Sequence, residues 1–177
     1  MENKLKDILN DVTHWLNFAE AKNLALLTFD GVWLGNCIKR FYDTNKIIYV
    51  AFAIPLIFAM IICLSSFIPQ IHGAKWISKK LKKDLGDKED TDNLLFYKDI
   101  YKYSAEDYYK EIQKIHLISN DQVIDKFDSD KNKYEKAMIN QIVILSGIAY
   151  KKHFLFDIAA KITICLSAVL VLSLIIA

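Results

Sequence analysis

The stretch that most constrains this chain is "IIYVAFAIPLIFAMIICLSSFI", Ile47 to Ile68, which contains no charge. As a helix rising about 1.5 Å per residue, it is long enough to cross a bilayer core of about 30 Å. Pro55 lies inside it. A proline costs a soluble helix heavily, but membrane helices tolerate one where neighbours satisfy the freed carbonyl. Lipid offers no hydrogen bonds, so a run of this kind commits the chain to helices that close their own backbone bonds.

Two further segments follow the same logic. The run "FLFDIAAKITICLSAVLVLSLIIA", 154–177, is uncharged from Ile162 onward, with Asp157 and Lys161 near its start placed to pair or to snorkel. "NLALLTFDGVWLGNCI", Asn23 to Ile38, is shorter and carries an acid, Asp30. Lys22 precedes it, and "KRFYDTNK" alone separates it from the Ile47 run, so the two read as a helical hairpin. An isolated carboxylate at membrane depth costs a few kcal/mol on insertion scales, so Asp30 is expected to face a bundle interior or a water-filled space, or to be protonated. The alternative is a shallow first span with Asp30 near the interface or paired to a polar group of a neighbouring chain. Gly31 and Gly35 form a GxxxG pair that permits close helix approach. Lys22, Asp30, Gly31 and Gly35 are therefore the candidates for a membrane or oligomer interface.

Charge is segregated from these runs. Apolar residues make up 53% of the chain and charged residues 25%, yet the net charge is only +2. That balance gives no basis for binding a nucleic acid polymer. Cys37, Cys63 and Cys165 lie in apolar segments and read as free thiols. His14, His72, His116 and His153 are scattered, and no Walker loop, HExxH or GxSxG occurs. The chain is expected not to be an enzyme and to hold no cofactor or metal. The first residues carry both signs of charge and no apolar core, so they do not form a signal peptide.

Orientation follows the basic residues at the membrane ends. "KWISKKLKKD" after the second run is lysine-rich, and Lys151 and Lys152 precede the last. The hairpin turn carries Lys39, Arg40 and Lys46, a smaller cluster. Residues 69–153 and the N-terminus are expected inside the cell. Residues 3–20 place Leu5, Ile8, Leu9, Val12, Trp15, Leu16 and Ala19 at helical spacing and continue without a break toward the first span. Asp84 to Asn93 reads as a polar linker. Ser104, with Asp107 three residues on, caps a helix expected over about 105–119. From Ser119 to Phe154 the chain reads as one long helix entering the last span. The expected fold is an all-α membrane protein, with three transmembrane helices and a helical cytoplasmic module between the second and third. Its segments are an amphipathic cytoplasmic helix (1–21), a transmembrane hairpin (22–68), a linker and sensor module (69–153) and a C-terminal transmembrane helix (154–177).

Three short motifs, in order around these spans, resemble the transmembrane effectors of the Pycsar antiphage systems. They are "FAEAKN" (Phe18 to Asn23), "LLFYKDI" (Leu94 to Ile100) and "QIVILSGIAYK" (Gln141 to Lys151). The first departs from the family's usual Phe-Ala-Asp-Thr-Lys-Ala, and Pro69-Gln70 stands where Pro-Arg is common. The resemblance implies an effector in the bacterial inner membrane. It would sense cyclic CMP or cyclic UMP made on infection, assemble as a homo-oligomer and permeabilise the bilayer. A cyclic nucleotide needs a cation for its phosphate and a flat partner for its base. Tyr97, Lys98, Tyr101, Lys102 and Lys151 are the candidate ligand residues. The other reading of the same residues is a bundle core of aromatics with a solvated lysine face. Arg40 is the one arginine and lies in the hairpin turn, so lysines would hold the phosphate as point charges. The alternative function is a constitutive membrane scaffold or subunit whose cytoplasmic helices dock a protein partner. On either reading the protein should sediment with membranes and leave them only in detergent; recovery from the high-speed supernatant without detergent would overturn the membrane assignment.

Overall fold

The computed structural model describes residues 2–68, 85–89, 91–120 and 133–176. The lysine run between residues 75 and 83 and the segment 121–132 lie outside the described residues. Among the described residues the chain is helical, with no strand. Helix α1 is Glu2–Thr44, α2 is Ile48–Ser65, α3 is the single turn Tyr97–Ile100, α4 is Ala105–Asn120 and α5 is Lys133–Ile176. Two compact units divide the chain: residues 1–17 with 71–151, and residues 18–70 with 152–177. Both α1 and α5 contribute to each unit without a break in either helix.

The continuity of α1 has a sequence cause. Its buried positions are Leu5, Ile8, Val12, Ala19, Asn23, Asp30 and Cys37, spaced by threes, fours and sevens. That spacing holds one seam on one face over the whole helix. On α5 the buried positions Ile139, Ile142, Ser146, Ala149, His153 and Thr163 keep a similar spacing. α1 ends where Asn45 adopts φ 56°, donating its N–H to the Phe41 carbonyl at 2.8 Å. Asparagine tolerates this left-handed conformation at a helix C-terminus, and the chain then turns directly into α2.

The first unit has an aromatic and aliphatic core. Leu5, Ile8 and Val12 of α1 pack with Ile100, Tyr103, Tyr108, Tyr109 and Ile112, and with Met138, Ile139 and Ile142 of α5. Ser104 begins α4 as expected: its hydroxyl accepts from the Asp107 backbone N–H at 3.2 Å and donates to the Asp107 carboxylate at 2.7 Å. Tyr108 is fully buried and donates its hydroxyl to the Leu94 carbonyl at 2.7 Å, which joins α4 to the segment before α3.

The second unit packs α2 against the later part of α1 and of α5. Cys37, Phe52 and Leu56 gather Trp33, Ala53, Leu166 and Leu170, and Ala59, Cys63 and Ala159 gather Leu26, Leu27, Ile62 and Ile162. Its outer surface is apolar. Ile54, Phe58 and Ile61 of α2, Leu24 and Val32 of α1, and Ile164 of α5 are all more than half exposed. A water-soluble domain seldom presents so many large side chains together, and lipid hides them at no cost. Among the described residues two helices are long and apolar enough to cross a membrane: α2 over Ile48–Ser65 and α5 within Lys133–Leu170. The 22–44 part of α1 is not one of them by composition, since Lys22, Asn23, Thr28, Asp30 and Asn36 dilute it.

One close approach fixes the short helix α3. A Cβ placed on Gly147 of α5 would lie 2.5 Å from the Tyr101 ring, whereas at Gly31 or Gly35 it would meet nothing within 4 Å. Glycine to alanine in a helix interior ordinarily stabilises by roughly 0.5–1 kcal/mol. Gly147→Ala should reverse that sign, lowering the melting temperature through an overpacking cost of about 1–3 kcal/mol. Adding Tyr101→Leu should restore part of the loss in detergent-solubilised protein.

Candidate functional site

The first unit contains a cavity of about 750 Å³. Its apolar wall is Ile8, Leu94, Leu95 and Ile112, and its polar wall carries the carboxylates of Asp7, Asp11, Glu89, Asp92 and Glu111. Lys4 and Lys88 supply the cationic charge of the lining, which Tyr103 also joins. Lys4, Asp7, Ile8 and Asp11 fall on one stripe of α1 because they are three and four residues apart. A volume of this size is within the usual range for small-molecule pockets.

The segment before α3, which reads as a linker in the sequence, is organised around Asp92. Its carboxylate accepts from the Lys102 ammonium, from the Tyr103 hydroxyl at 3.1 Å and from the Glu89 backbone N–H at 3.1 Å. Burial by itself would raise Asp92, but these three donors outweigh it and hold the carboxyl below the usual carboxylate range. Burial first, then the Asp92 carboxylate, pushes Tyr103 up to about 12, so its hydroxyl stays a donor at physiological pH. Asp99 adds a second carboxylate 3.4 Å from Lys102 and accepts from the Asn93 N–H at 3.2 Å. Lys88 pairs with Asp107 at 2.6 Å and sits 5.4 Å from the centre of the Tyr103 ring.

The five candidate ligand residues are all in this unit, but none lines the cavity. Tyr97 is buried with its ring 5.6 Å from that of Trp15. Tyr101 lies against Gly147, its ring 6.0 Å from that of Tyr150. Lys102 departs from the expectation of an available cation: the two carboxylates that hold it raise its pKa and leave its side chain only 10% exposed. Lys98 is exposed on α3, and Lys151 is buried. Sequence reasoning missed Asp7, Asp11, Lys88 and Asp92. The spacing of Asp7 and Asp11 beside Ile8 was a visible signal; nothing local marks Asp92 as a hub.

The second unit holds a polar seam. Asp30 is fully buried and accepts from the Thr163 hydroxyl of α5 at 2.9 Å through Oδ1. Its Oδ2 has no hydrogen-bond partner among the described residues. Asn23 donates to the Ala19 carbonyl at 2.8 Å and to the Lys152 carbonyl at 3.3 Å. Lys152 in turn pairs with Glu20 at 2.6 Å. Lys22 lies 5.2 Å from the Phe18 ring centre and 4.4 Å from that of Phe156, a cation held between two aromatic faces. Asp30 thus faces a helix of its own chain. Gly31 and Gly35 take no part in close packing within that chain. Among the described residues no three His, Cys, Asp or Glu side chains gather as a metal site.

The Asp92 cluster generates a pH prediction. A carboxyl held low in the fold adds stability that is fully present above its unfolded value of about 3.9 and is lost as pH falls through its folded value. Asp92→Asn should lower stability at neutral pH by about 1.5–3 kcal/mol. It should also flatten the acid limb of the melting temperature below about pH 4. Both are read by thermal unfolding in detergent from pH 7 downward, and an unchanged acid limb would remove Asp92 from that role.

No curated protein and no solved structure matches the chain. A family model described as Pycsar effector protein domain matches residues 4–177, a span that reaches each helix of the described residues. The chain therefore belongs to the Pycsar effector family, as a membrane-associated protein with a role in antiphage defence.

Proposed function

We propose that the chain senses a cyclic pyrimidine nucleotide, cCMP or cUMP, and responds by disrupting the bacterial inner membrane, so that the infected cell dies with the phage. The family match over residues 4–177 carries this reading. No catalysis and no cofactor enter it; the nucleotide acts as a signal. The chain crosses the bilayer three times, with the 22–44 part of α1, with α2 and with the end of α5. The N-terminus and the first unit lie in the cytoplasm.

The first unit supports a sensing role through the placement of α3. Its Tyr97 packs on Trp15 of α1, and the Tyr101 that follows it packs on Gly147 and Tyr150 of α5. The lining residues Asp92, Asn93, Leu94 and Leu95 lie just before α3. A ligand that pulls on this segment moves α3 and, through it, both long helices. Those helices continue unbroken into the second unit. There the Asp30–Thr163 bond acts as a clasp of the resting state, and its opening, with self-association, frees a carboxylate to line a path for water and ions. Lys22, Gly31 and Gly35 then serve contacts with lipid and with neighbouring copies, and exposed Lys98 and buried Lys151 add positive charge to the sensing unit.

Co-expression with a cyclase that makes cCMP or cUMP should depolarise cells carrying the wild-type chain. Asp30→Leu should insert into the membrane normally and fail to kill. Thr163→Val, which removes the hydroxyl that donates to Asp30, should lower the nucleotide level needed for killing. Equal killing by wild type and Asp30→Leu would overturn the central role of the acid. A melting temperature indifferent to both nucleotides would overturn the sensing role, since a ligand of the folded state must raise it.

A further inference from the structure

The cavity of the first unit has an unusual electrostatic character for a site that receives a cyclic mononucleotide, which is an anion. Asp7, Asp11, Glu89, Asp92 and Glu111 line it against Lys4 and Lys88 alone. Asp92 is already committed to Lys102 and Tyr103, and the Glu111 carboxylate takes Lys114 at 2.7 Å. Asp7 and Asp11 stand exposed on successive turns of α1, on either side of Ile8, which forms the apolar wall between them. The polar lining is therefore dominated by acceptors.

Acceptors discriminate between the two pyrimidines. Cytosine carries an exocyclic amino group at its 4-position, which a carboxylate accepts from. Uracil presents a carbonyl oxygen there, so a carboxylate placed to accept from the cytosine amino group meets a repulsive oxygen at the same position. The phosphate carries one negative charge and can be satisfied by Lys4, and by Lys88 once it turns from its Asp107 partner, with the sugar and the base faces against Ile8, Leu95 and Ile112.

Resting on the sensing role proposed above, we infer that this cavity is the nucleotide site and that its α1 carboxylates, Asp7 and Asp11, select a cytosine base over uracil. The ligand class is a cyclic nucleotide whose base offers an amino donor on its outer edge. A uracil nucleotide enters the same cavity and binds it more weakly.

Isothermal titration of full-length protein in nanodiscs with cCMP and with cUMP tests this. Binding of cCMP should be at least about tenfold tighter, the scale of one well-made base contact. The double variant Asp7→Asn with Asp11→Asn changes two exposed side chains and should fold as wild type, checked by its ligand-free melting temperature. A carboxamide can turn either its oxygen or its amino group toward the base, so the ratio should shrink to about threefold or less. Leu95→Trp, at an exposed wall position, should fill the cavity and weaken both ligands. Equal affinities, a preference for cUMP, a preference untouched by the double variant, or Leu95→Trp binding as wild type would overturn the inference and leave the sensing role standing. Binding of neither nucleotide would overturn both.

Discussion

One buried seam runs along α1 and changes its residue types between the two units, and the rest of the structure follows from that change. In the first unit the seam is Leu5, Ile8 and Val12, packed into an aromatic and aliphatic core. Water drives that packing, at roughly 25 cal/mol for each Å² of apolar surface removed from it. In the second unit the same face carries Ala19, Asn23, Asp30 and Cys37. Lipid tails are as apolar as leucine, so leucine there would give little reason for one helix to choose another. Small residues that allow contact, and polar groups that have nowhere else to go, supply the missing preference. On the three-span reading proposed above, the change of residue type along one unbroken helix marks the change of solvent.

The polar members of the seam are costly singly and tolerable together. Asp30 gains the Thr163 hydroxyl, and that hydroxyl is also placed 3.1 Å from the Ala159 carbonyl, so its one proton serves two acceptors. The second carboxylate oxygen and the Asn23 amide oxygen have no hydrogen-bond partner among the described residues. A group left in that condition in a low-dielectric setting costs about 1–3 kcal/mol, and more when charged. A structure carrying such a cost is biased toward any alternative arrangement that supplies donors. Water or a neighbouring copy would do so, which fits the opening proposed for this seam.

Much of this was legible from residue types alone. The uncharged Ile47–Ile68 run, the hairpin turn, the Ser104 cap and the continuous α1 are local or periodic signals, each with a direct physical cause. The site was less legible. Tyr97, Tyr101 and Lys102 stand out in the sequence as aromatic and cationic, but their partners, Trp15, Gly147 and the Asp92 carboxylate, are distant in sequence or lie in what reads as a linker. Thr163 hides in the same way. A single threonine in an uncharged span carries no signal until Asp30, 133 residues away, is set against it. Side-chain pairing across the fold is the information that a one-dimensional pattern lacks.

The recurring motifs acquire a physical meaning from these pairings. In "LLFYKDI", Leu94 offers its carbonyl to Tyr108, Asp99 closes on the Asn93 N–H and Lys102, and Tyr97 seats on Trp15. In "QIVILSGIAYK", Ile142 fills the core, while Gly147 and Tyr150 form the seat for Tyr101. In "FAEAKN", Glu20 and Asn23 reach Lys152, and Phe18 shields Lys22. Two of the three motifs therefore meet at α3, and the third binds α1 to α5 by charge and amide contacts where polar packing takes over. A motif set of this kind constrains contacts between helices, and on the proposed function those are the contacts a signal-driven rearrangement would break and remake.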